Sequence, residues 1–241
     1  MGALLRFYTS SVGAKIVMAV TGCLWFLFLV GHLVGNLQVF AGPEPLNAYA
    51  YFLHSHHAML WTVRSGMFVL FVLHVWSASV LTLKNQASRP VAYVKKSAVR
   101  ATWTSRNMYL TGSMILAFVG YHLLQFTWEV TNPEIAAHYD ALGHHDVYRM
   151  VVSGFQNPAI AGLYIAGMVL LGLHLSHGVS SMFQSMGWNG RRANSLINAL
   201  GPACAILLGL GNIAMPAAFP NVFFMIRFPF RGLSMKRRRR Y

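Results

Sequence analysis

Four histidines lie inside strongly apolar stretches of this sequence, where an imidazole is costly unless it meets a partner or a ligand. They are His32 in VGHLVGN, His74 in FVLHVWS, His122 in VGYHLLQ and His174 in LGLHLSH. A neutral imidazole can bind a transition metal, relay a proton or make a structural hydrogen bond. One buried histidine taken alone is best interpreted as structural, so the spacing of the four as a set decides between these chemistries.

The stretches that carry these histidines are long enough to cross a membrane. Of the 241 residues, 56% are hydrophobic and only 10% are charged, whereas soluble domains carry about 25% charged residues. A membrane-spanning helix needs about 20 apolar residues, and five stretches qualify, at 16–40, 61–83, 108–128, 158–182 and 197–219. The sequence therefore predicts an all-α integral membrane bundle of five transmembrane helices. We expect one domain over residues 1–241, ending in a basic tail at 220–241.

Charges in the connections indicate the orientation. Basic residues precede the first span and fill the second and fourth connections: Arg6, Lys15, Lys84, Arg89, Lys95, Lys96, Arg100, Arg106, Arg191 and Arg192. Acidic residues lie in or beside the first and third connections: Glu44, Glu129, Glu134, Asp140 and Asp146. Since basic loops favour the cytoplasm, we expect a multi-pass protein of the cytoplasmic (inner) membrane with a cytoplasmic N-terminus and an external C-terminus. The basic C-terminal sequence MKRRRRY would then lie outside, which is contrary to this rule. Basic loops explain the net charge of +14 without nucleic-acid binding.

Depth in the membrane sorts the four histidines into two pairs. At about 1.5 Å per residue, His32 and His122 both lie roughly 21 to 24 Å from the inner edge, while His74 and His174 both lie about 15 Å above it. Two histidines at one depth on different helices can supply both axial ligands of a haem iron. Because the sequence has no C-x-x-C-H motif for thioether attachment, it predicts two b-type haems held by ligation and packing.

Several residues near these pairs have two interpretations. His177 lies three positions after His174 and on about the same helix face, so it is an alternative ligand, or a polar contact for a propionate, a quinone oxygen or water. Lys15 and Arg106 are candidate contacts for haem propionates, and topology signals explain them equally well. Glycines 31, 120 and 172 precede three of the histidines and would let a flat ring approach the backbone; ordinary helix packing is the alternative.

Quinone chemistry requires proton transfer as well as electron transfer. A quinone site should therefore place ionisable groups beside an apolar slot reachable from lipid. Glu44, which precedes the second span, and Glu129, which closes the third, are the candidates near the outer histidine pair. Solvated loop carboxylates are the alternative interpretation of both.

The pattern resembles the single-chain dihaem cytochrome b that anchors succinate:quinone oxidoreductases and quinol:fumarate reductases in the membrane. The resemblance covers nearly the whole chain and rests on one histidine in each of the first four spans. It also rests on SSVGAKIVMAVTG at 10–22 and TSRNMYLTG at 104–112. It implies that His32 and His122 bind a distal haem, and that His74 and His174 bind a proximal haem.

The resemblance further implies partners that this chain does not encode. They are a flavoprotein (FAD) subunit that interconverts succinate and fumarate and an iron-sulfur subunit, both docked at the cytoplasmic face, with a possible higher oligomer of the complex. The sequence has no four-cysteine set and no G-x-G-x-x-G loop, so the chain would be the subunit that does not bind succinate. Lipid-dissolved quinone, with menaquinone favoured, would be the electron partner. No acidic residue lies near His174, so a glutamate proton route found in some fumarate reductases is unsupported.

Two other functions remain open at this point. The chain could be the cytochrome b subunit of another respiratory enzyme, such as a hydrogenase, formate dehydrogenase or ferric reductase. It could also be a haem-free transporter in which buried histidines relay protons. Pairing of the histidines at equal depth disfavours the transporter.

Overall fold

The computed structural model describes residues 2–88, 102–190 and 192–219. Within these ranges the regular secondary structure is helical, apart from one isolated β-bridge between Tyr139 and His145 in the connection before the fourth span. The helices are Ala3–Thr9, Ser11–Asn36, the 3-10 helix Leu37–Ala41, Pro43–Ser55, His57–Ala87, Trp103–Arg106, Met108–Phe126, Pro133–Ala136, Val147–Gln156, Pro158–Ser185 and Asn194–Ala218. The basic residues Arg89, Lys95, Lys96, Arg100 and Arg191 and the tail at 220–241 lie outside the described residues.

Five of these helices are long and apolar enough to cross a membrane. They are Ser11–Ala41, His57–Ala87, Met108–Phe126, Pro158–Ser185 and Asn194–Ala218, and they are called the first to fifth spans below. Large apolar side chains on them stay exposed, among them Leu27, Phe68 and Leu207. Such an apolar surface is suited to lipid rather than to water. The predicted all-α, multi-pass membrane protein with five spans is confirmed.

Helix limits differ from the predicted limits by a few residues because caps, rather than hydropathy, set helix ends. The first span begins at Ser11, where the Ser10 hydroxyl accepts a hydrogen bond from the Gly13 N–H at 2.9 Å. The third span ends at Phe126, two positions before the predicted limit. Glu129, three residues beyond that end, has a left-handed conformation with φ at 56°, which a glycine adopts more readily.

The fourth span is the centre of the bundle. It packs against the first, third and fifth spans, while the second span packs mainly against the first. The Ser180 hydroxyl donates to the Ile197 carbonyl at 2.7 Å and joins the fourth and fifth spans. This packing brings the first four spans, which carry the histidines, around one interior. We call the end of the bundle where the first span begins the near end, and the opposite end the far end.

Two helices that the sequence analysis did not predict close the far end. Pro43–Ser55 and Val147–Gln156 pack against each other, and Asn47 joins them while being 2% exposed. Its side-chain amide donates to Asp146 at 3.1 Å and accepts from the Tyr148 N–H at 2.9 Å. These helices were not predicted because they are shorter than the about 20 apolar residues that a membrane span needs.

Replacing Asn47 by alanine is expected to destabilise the far end. The Asn47→Ala change leaves the Tyr148 N–H without its acceptor and removes one of the two hydrogen bonds to the partly buried Asp146 carboxylate, which keeps the bond from the Arg149 N–H. An unsatisfied buried donor typically costs about 1 to 3 kcal/mol. We expect a lower thermal unfolding midpoint in detergent. Asn85→Ala is the matched control, since Asn85 is exposed at the end of the second span. Equal midpoints for the two variants would contradict a stabilising role for Asn47.

Candidate functional site

The first histidine pair lies in the half of the bundle toward the far end. The ring centroids of His32 and His122 are 5.8 Å apart, with ring planes at 85°. Phe28 stacks on His32 from one helical turn away, at 5.4 Å between centroids. The Nδ1 atom of His122 lies 3.3 Å from the hydroxyl of Tyr164 on the fourth span. The first, third and fourth spans together fix this pair.

The second pair lies in the half toward the near end. The ring centroids of His74 and His174 are 6.5 Å apart. Each ring is held by a threonine of a neighbouring span: Thr21 Oγ1 lies 3.0 Å from Nδ1 of His74, and Thr111 Oγ1 lies 3.2 Å from Nδ1 of His174. The structure therefore brings together the same two pairs that the depths predict.

Two glycines stand directly against the rings of the near-end pair. A Cβ atom on Gly22 would lie 3.3 Å from Cε1 of His74, and one on Gly112 would lie 3.5 Å from Cε1 of His174. Larger side chains at these positions would push the rings aside, because interiors are close-packed. The absence of a side chain here fixes where each imidazole lies.

The glycines that adjoin the histidines in sequence have other surroundings. A Cβ on Gly31 or Gly120 would meet no described atom within 4 Å, and one on Gly172 would face the Ala205 carbonyl at 3.7 Å. Of these three, Gly172 serves the packing of the fourth span against the fifth. None of them contacts a histidine ring of the described structure.

The separation of each pair fits one iron between two imidazoles. Metal bonds to imidazole nitrogen are about 2 Å long, so two imidazoles on opposite sides of one metal have ring centroids roughly 6 Å apart. The observed values of 5.8 Å and 6.5 Å bracket that separation. The contacts of His74, His122 and His174 with hydroxyl groups all involve Nδ1, which leaves Nε2 of these three rings for a metal. Groups of three or more metal-binding side chains do not occur among the described residues, so the site is built from pairs.

Two buried polar side-chain atoms on the spans that carry the histidines also fit a polar cofactor. The indole N–H of Trp25 and the side-chain carbonyl of Gln125 are buried and have no hydrogen-bond partner in the described structure. Trp25 lies on the first span between the two histidine depths, and Gln125 follows His122 by one helical turn. Buried polar groups are normally hydrogen-bonded, so a ligand group would complete these two positions.

His177 has a different environment from His174. It is half-buried and lies nearer the end of the fourth span, whereas the ring contact with His74 and the Thr111 contact are made by His174. Geometry therefore favours His174 as the partner of His74.

The two basic candidates both lie at the near end and are exposed. Lys15 lines a cleft of about 370 Å³ with Ser181, Gln184 and Ser185 of the fourth span. Its ammonium and these hydroxyl and amide groups are suited to binding a carboxylate. Arg106 ends the short helix Trp103–Arg106, which packs against the fourth span. Only Lys15 is part of the cleft.

The two acidic candidates differ in their surroundings. Glu44 is exposed in the first turn of Pro43–Ser55. Glu129 is partly buried, and its carboxylate lies 3.6 Å from Nε2 of His145. His54 belongs to the same far-end group, and burial together with the charge of Arg64 lowers the pKa of His54. Of the two candidates, Glu129 is thus the one that is partly buried and close to a histidine.

Comparison with known proteins gives one match. The succinate dehydrogenase cytochrome b558 subunit of Bacillus subtilis (strain 168) is 28% identical over 166 residues, which make up 67% of this chain and 72% of that subunit. The chain is a distant relative of that cytochrome b558 subunit. No family model matches the chain, and no solved structure matches it. Likeness to a cytochrome b558 subunit, a component of succinate dehydrogenase, agrees with the five spans.

The residues that the sequence analysis missed carry a visible signal. TGCLWFLFLVGH at 21–32 and TGSMILAFVGYH at 111–122 are two twelve-residue segments. Each starts with the threonine and glycine that contact a near-end histidine and ends with a far-end histidine. Phenylalanine occupies the eighth position in both, and Phe28 and Phe118 stack on His32 and His122. Aligning the first span of this chain with its third span would have identified these positions.

Proposed function

We propose that this chain is the membrane-anchor subunit of a succinate:quinone oxidoreductase and binds two b-type haems. His32 and His122 would be the axial ligands of the far-end haem, and His74 and His174 those of the near-end haem. The observation that carries the proposal is the presence of two cross-span histidine pairs, each with the separation that one iron requires. Distant similarity to a succinate dehydrogenase cytochrome b558 subunit supports the identity of the complex.

When bound, the haems would supply one-electron redox chemistry between an iron-sulfur subunit and membrane quinone. The chain itself has several tasks. Its four histidines would hold the irons. Apolar faces of the first four spans exclude water, and Lys15, with the serine and glutamine groups of its cleft, binds carboxylate groups at the membrane edge. Arg106 is a second cation for carboxylate groups at the near end. His177 is a polar contact for the same groups, on the fourth span between His174 and the near end.

The near end is the proposed docking face for the iron-sulfur and flavoprotein (FAD) subunits. Lys15, Lys84 and Arg106 lie at this end, whereas the five acidic residues lie at the far end together with two basic ones, Arg64 and Arg149. Because positive loops stay in the cytoplasm, the near end would be cytoplasmic. The far end would then be external.

Quinone would react at the far end, where Glu129 exchanges the protons. Glu129→Gln keeps the shape of the side chain and removes its charge. General acid–base groups contribute about 100-fold or more, so we expect quinone reduction by the complex to slow by about that factor while two haems remain bound. Glu134→Gln is the control, since Glu134 is exposed in the short far-end helix Pro133–Ala136. Equal rates for the two variants would remove Glu129 from proton transfer. Menaquinone and ubiquinone analogues compared in this assay would identify the preferred quinone.

A pyridine haemochrome assay on the purified complex tests the proposal as a whole. We expect two b haems per copy of this chain, together with co-purified flavoprotein and iron-sulfur subunits. Absence of haem after haem-supplemented expression would overturn the proposal in favour of a proton-relaying transporter. Two haems with a hydrogenase or formate dehydrogenase partner would retain the haem sites and overturn the identity of the complex.

A further inference from the structure

Two buried threonines hold the near-end histidines in matching ways. Thr21 on the first span is 3% exposed and Thr111 on the third span is 2% exposed. Thr21 Oγ1 lies 3.0 Å from Nδ1 of His74, and Thr111 Oγ1 lies 3.2 Å from Nδ1 of His174. The same residue type therefore approaches the same atom of both members of one pair. The far-end pair has no such symmetry: His122 meets a phenol, that of Tyr164.

Each threonine has only one hydroxyl proton, and the helix backbone takes it. Thr21 donates to the Val17 carbonyl at 2.7 Å, and Thr111 donates to the carbonyls of Asn107 at 3.1 Å and Met108 at 3.2 Å. A hydroxyl that has donated its proton can only accept from a further partner. The imidazole must therefore supply the proton at Nδ1, and Nε2 then carries the lone pair.

We propose that Thr21 and Thr111 are positioning residues that lock His74 and His174 in the tautomer able to bind iron through Nε2. This inference rests on the proposed haem function. In a membrane interior no water is at hand to take the Nδ1 proton, so the protein must provide the acceptor. Gly22 and Gly112, which directly follow the two threonines, leave room for the rings at the same point. Each histidine of the near-end pair thus has its own Thr-Gly dipeptide, in which the threonine accepts the Nδ1 proton and the glycine leaves space for the ring.

The hydrogen bond also tunes the metal. A ligand imidazole that donates its other N–H to an acceptor becomes more basic and stabilises the higher charge on the metal. Removing the acceptor should therefore favour reduced iron and raise the midpoint potential of the near-end haem. The far-end haem, whose ligands do not touch these threonines, should keep its potential.

The decisive variant is Thr111→Val, which keeps the branched shape and removes the hydroxyl. Redox titration of the full complex, followed by haem absorbance, should show two haems with one midpoint potential shifted upward and the other unchanged. Thr111→Ser should return the shifted potential toward the wild-type value. If Thr111→Val instead loses one haem and Thr111→Ser retains it, the positioning role is equally supported.

Thr62→Val is the matched control. Thr62 is exposed on the second span, and its hydroxyl donates to the Ala58 carbonyl at 2.7 Å in the same manner, without a histidine beside it. The proposal is overturned if Thr111→Val leaves both potentials unchanged, if Thr62→Val shifts them equally, or if Thr111→Ser behaves like Thr111→Val.

Thr21→Val tests whether the size of the shift in midpoint potential follows the number of hydrogen-bond acceptors near each ring. The Met18 carbonyl lies within hydrogen-bonding reach of the His74 ring, so it can replace the lost Thr21 acceptor. We expect a smaller upward shift for Thr21→Val than for Thr111→Val, and a larger shift would contradict this geometry. Absence of haem from the wild-type chain would overturn the proposed function itself. Two haems in the wild-type chain, with the same haem content and midpoint potentials in Thr111→Val, would overturn only the role of the threonines.

Discussion

Replacing His174 by alanine is expected to reduce the b-haem content from two to one per chain. The variant removes one of the two proposed iron ligands of the near-end pair and leaves His74 without the imidazole whose ring centroid lies 6.5 Å from its own. Neither His32 nor His122 makes a ring contact with His174 in the described structure, so the far-end haem should stay bound with an unchanged spectrum. Pyridine haemochrome quantification and the reduced-minus-oxidised spectrum measure both parts of this result.

His177→Ala is the control that makes the experiment specific. His177 lies on the same helix, three positions further along, and is half-buried, so this variant perturbs the same region of the fourth span. We expect it to retain both haems. If His177→Ala loses a haem and His174→Ala does not, the ligand assignment of the near-end pair is wrong, although the two-haem function could survive with the ligands exchanged.

The prediction of the spans and of the histidine pairs relies on features that a single sequence expresses directly. Hydrocarbon thickness imposes a minimum length on each apolar stretch, and the fixed rise of a helix converts sequence position into depth. His32 therefore matches His122, and His74 matches His174, before any packing is known. Helix limits are less well predicted because they depend on single caps, such as the Ser10 hydroxyl at the first span.

The residues around the histidines were harder to predict because they belong to other helices. Which threonine faces which ring depends on the rotation of the first span against the second and of the third against the fourth. Thr21 and Thr111 look like ordinary helix threonines in sequence, since both also bond to their own helix backbone. The sequence predicts that glycines next to the histidines make room for a ring, because they are close in sequence. Gly22 and Gly112 instead contact the histidine rings across a helix interface.

Valine at Gly112 is expected to have nearly the effect of removing the ligand. A Cβ at this position would already lie 3.5 Å from Cε1 and 3.9 Å from Nδ1 of His174, which is ordinary contact distance. The valine methyl groups extend about 1.5 Å beyond Cβ, so one of them would overlap the space of the ring. The imidazole would have to leave its threonine acceptor, and we expect Gly112→Val to bind one b haem instead of two.

A series of side-chain sizes separates this steric effect from a general loss of folding. Gly112→Ala adds only the tolerated Cβ and should retain both haems, with a small change in the potential of the near-end haem. Gly66→Val introduces the same side chain on the second span, where a Cβ would meet no described atom within 4 Å, and should also retain both. Two haems in Gly112→Val with unchanged potentials would show that the third span does not constrain the His174 ring. Loss of one haem in Gly112→Val alone would place the third span against His174, as the close approach of its Thr-Gly dipeptide requires.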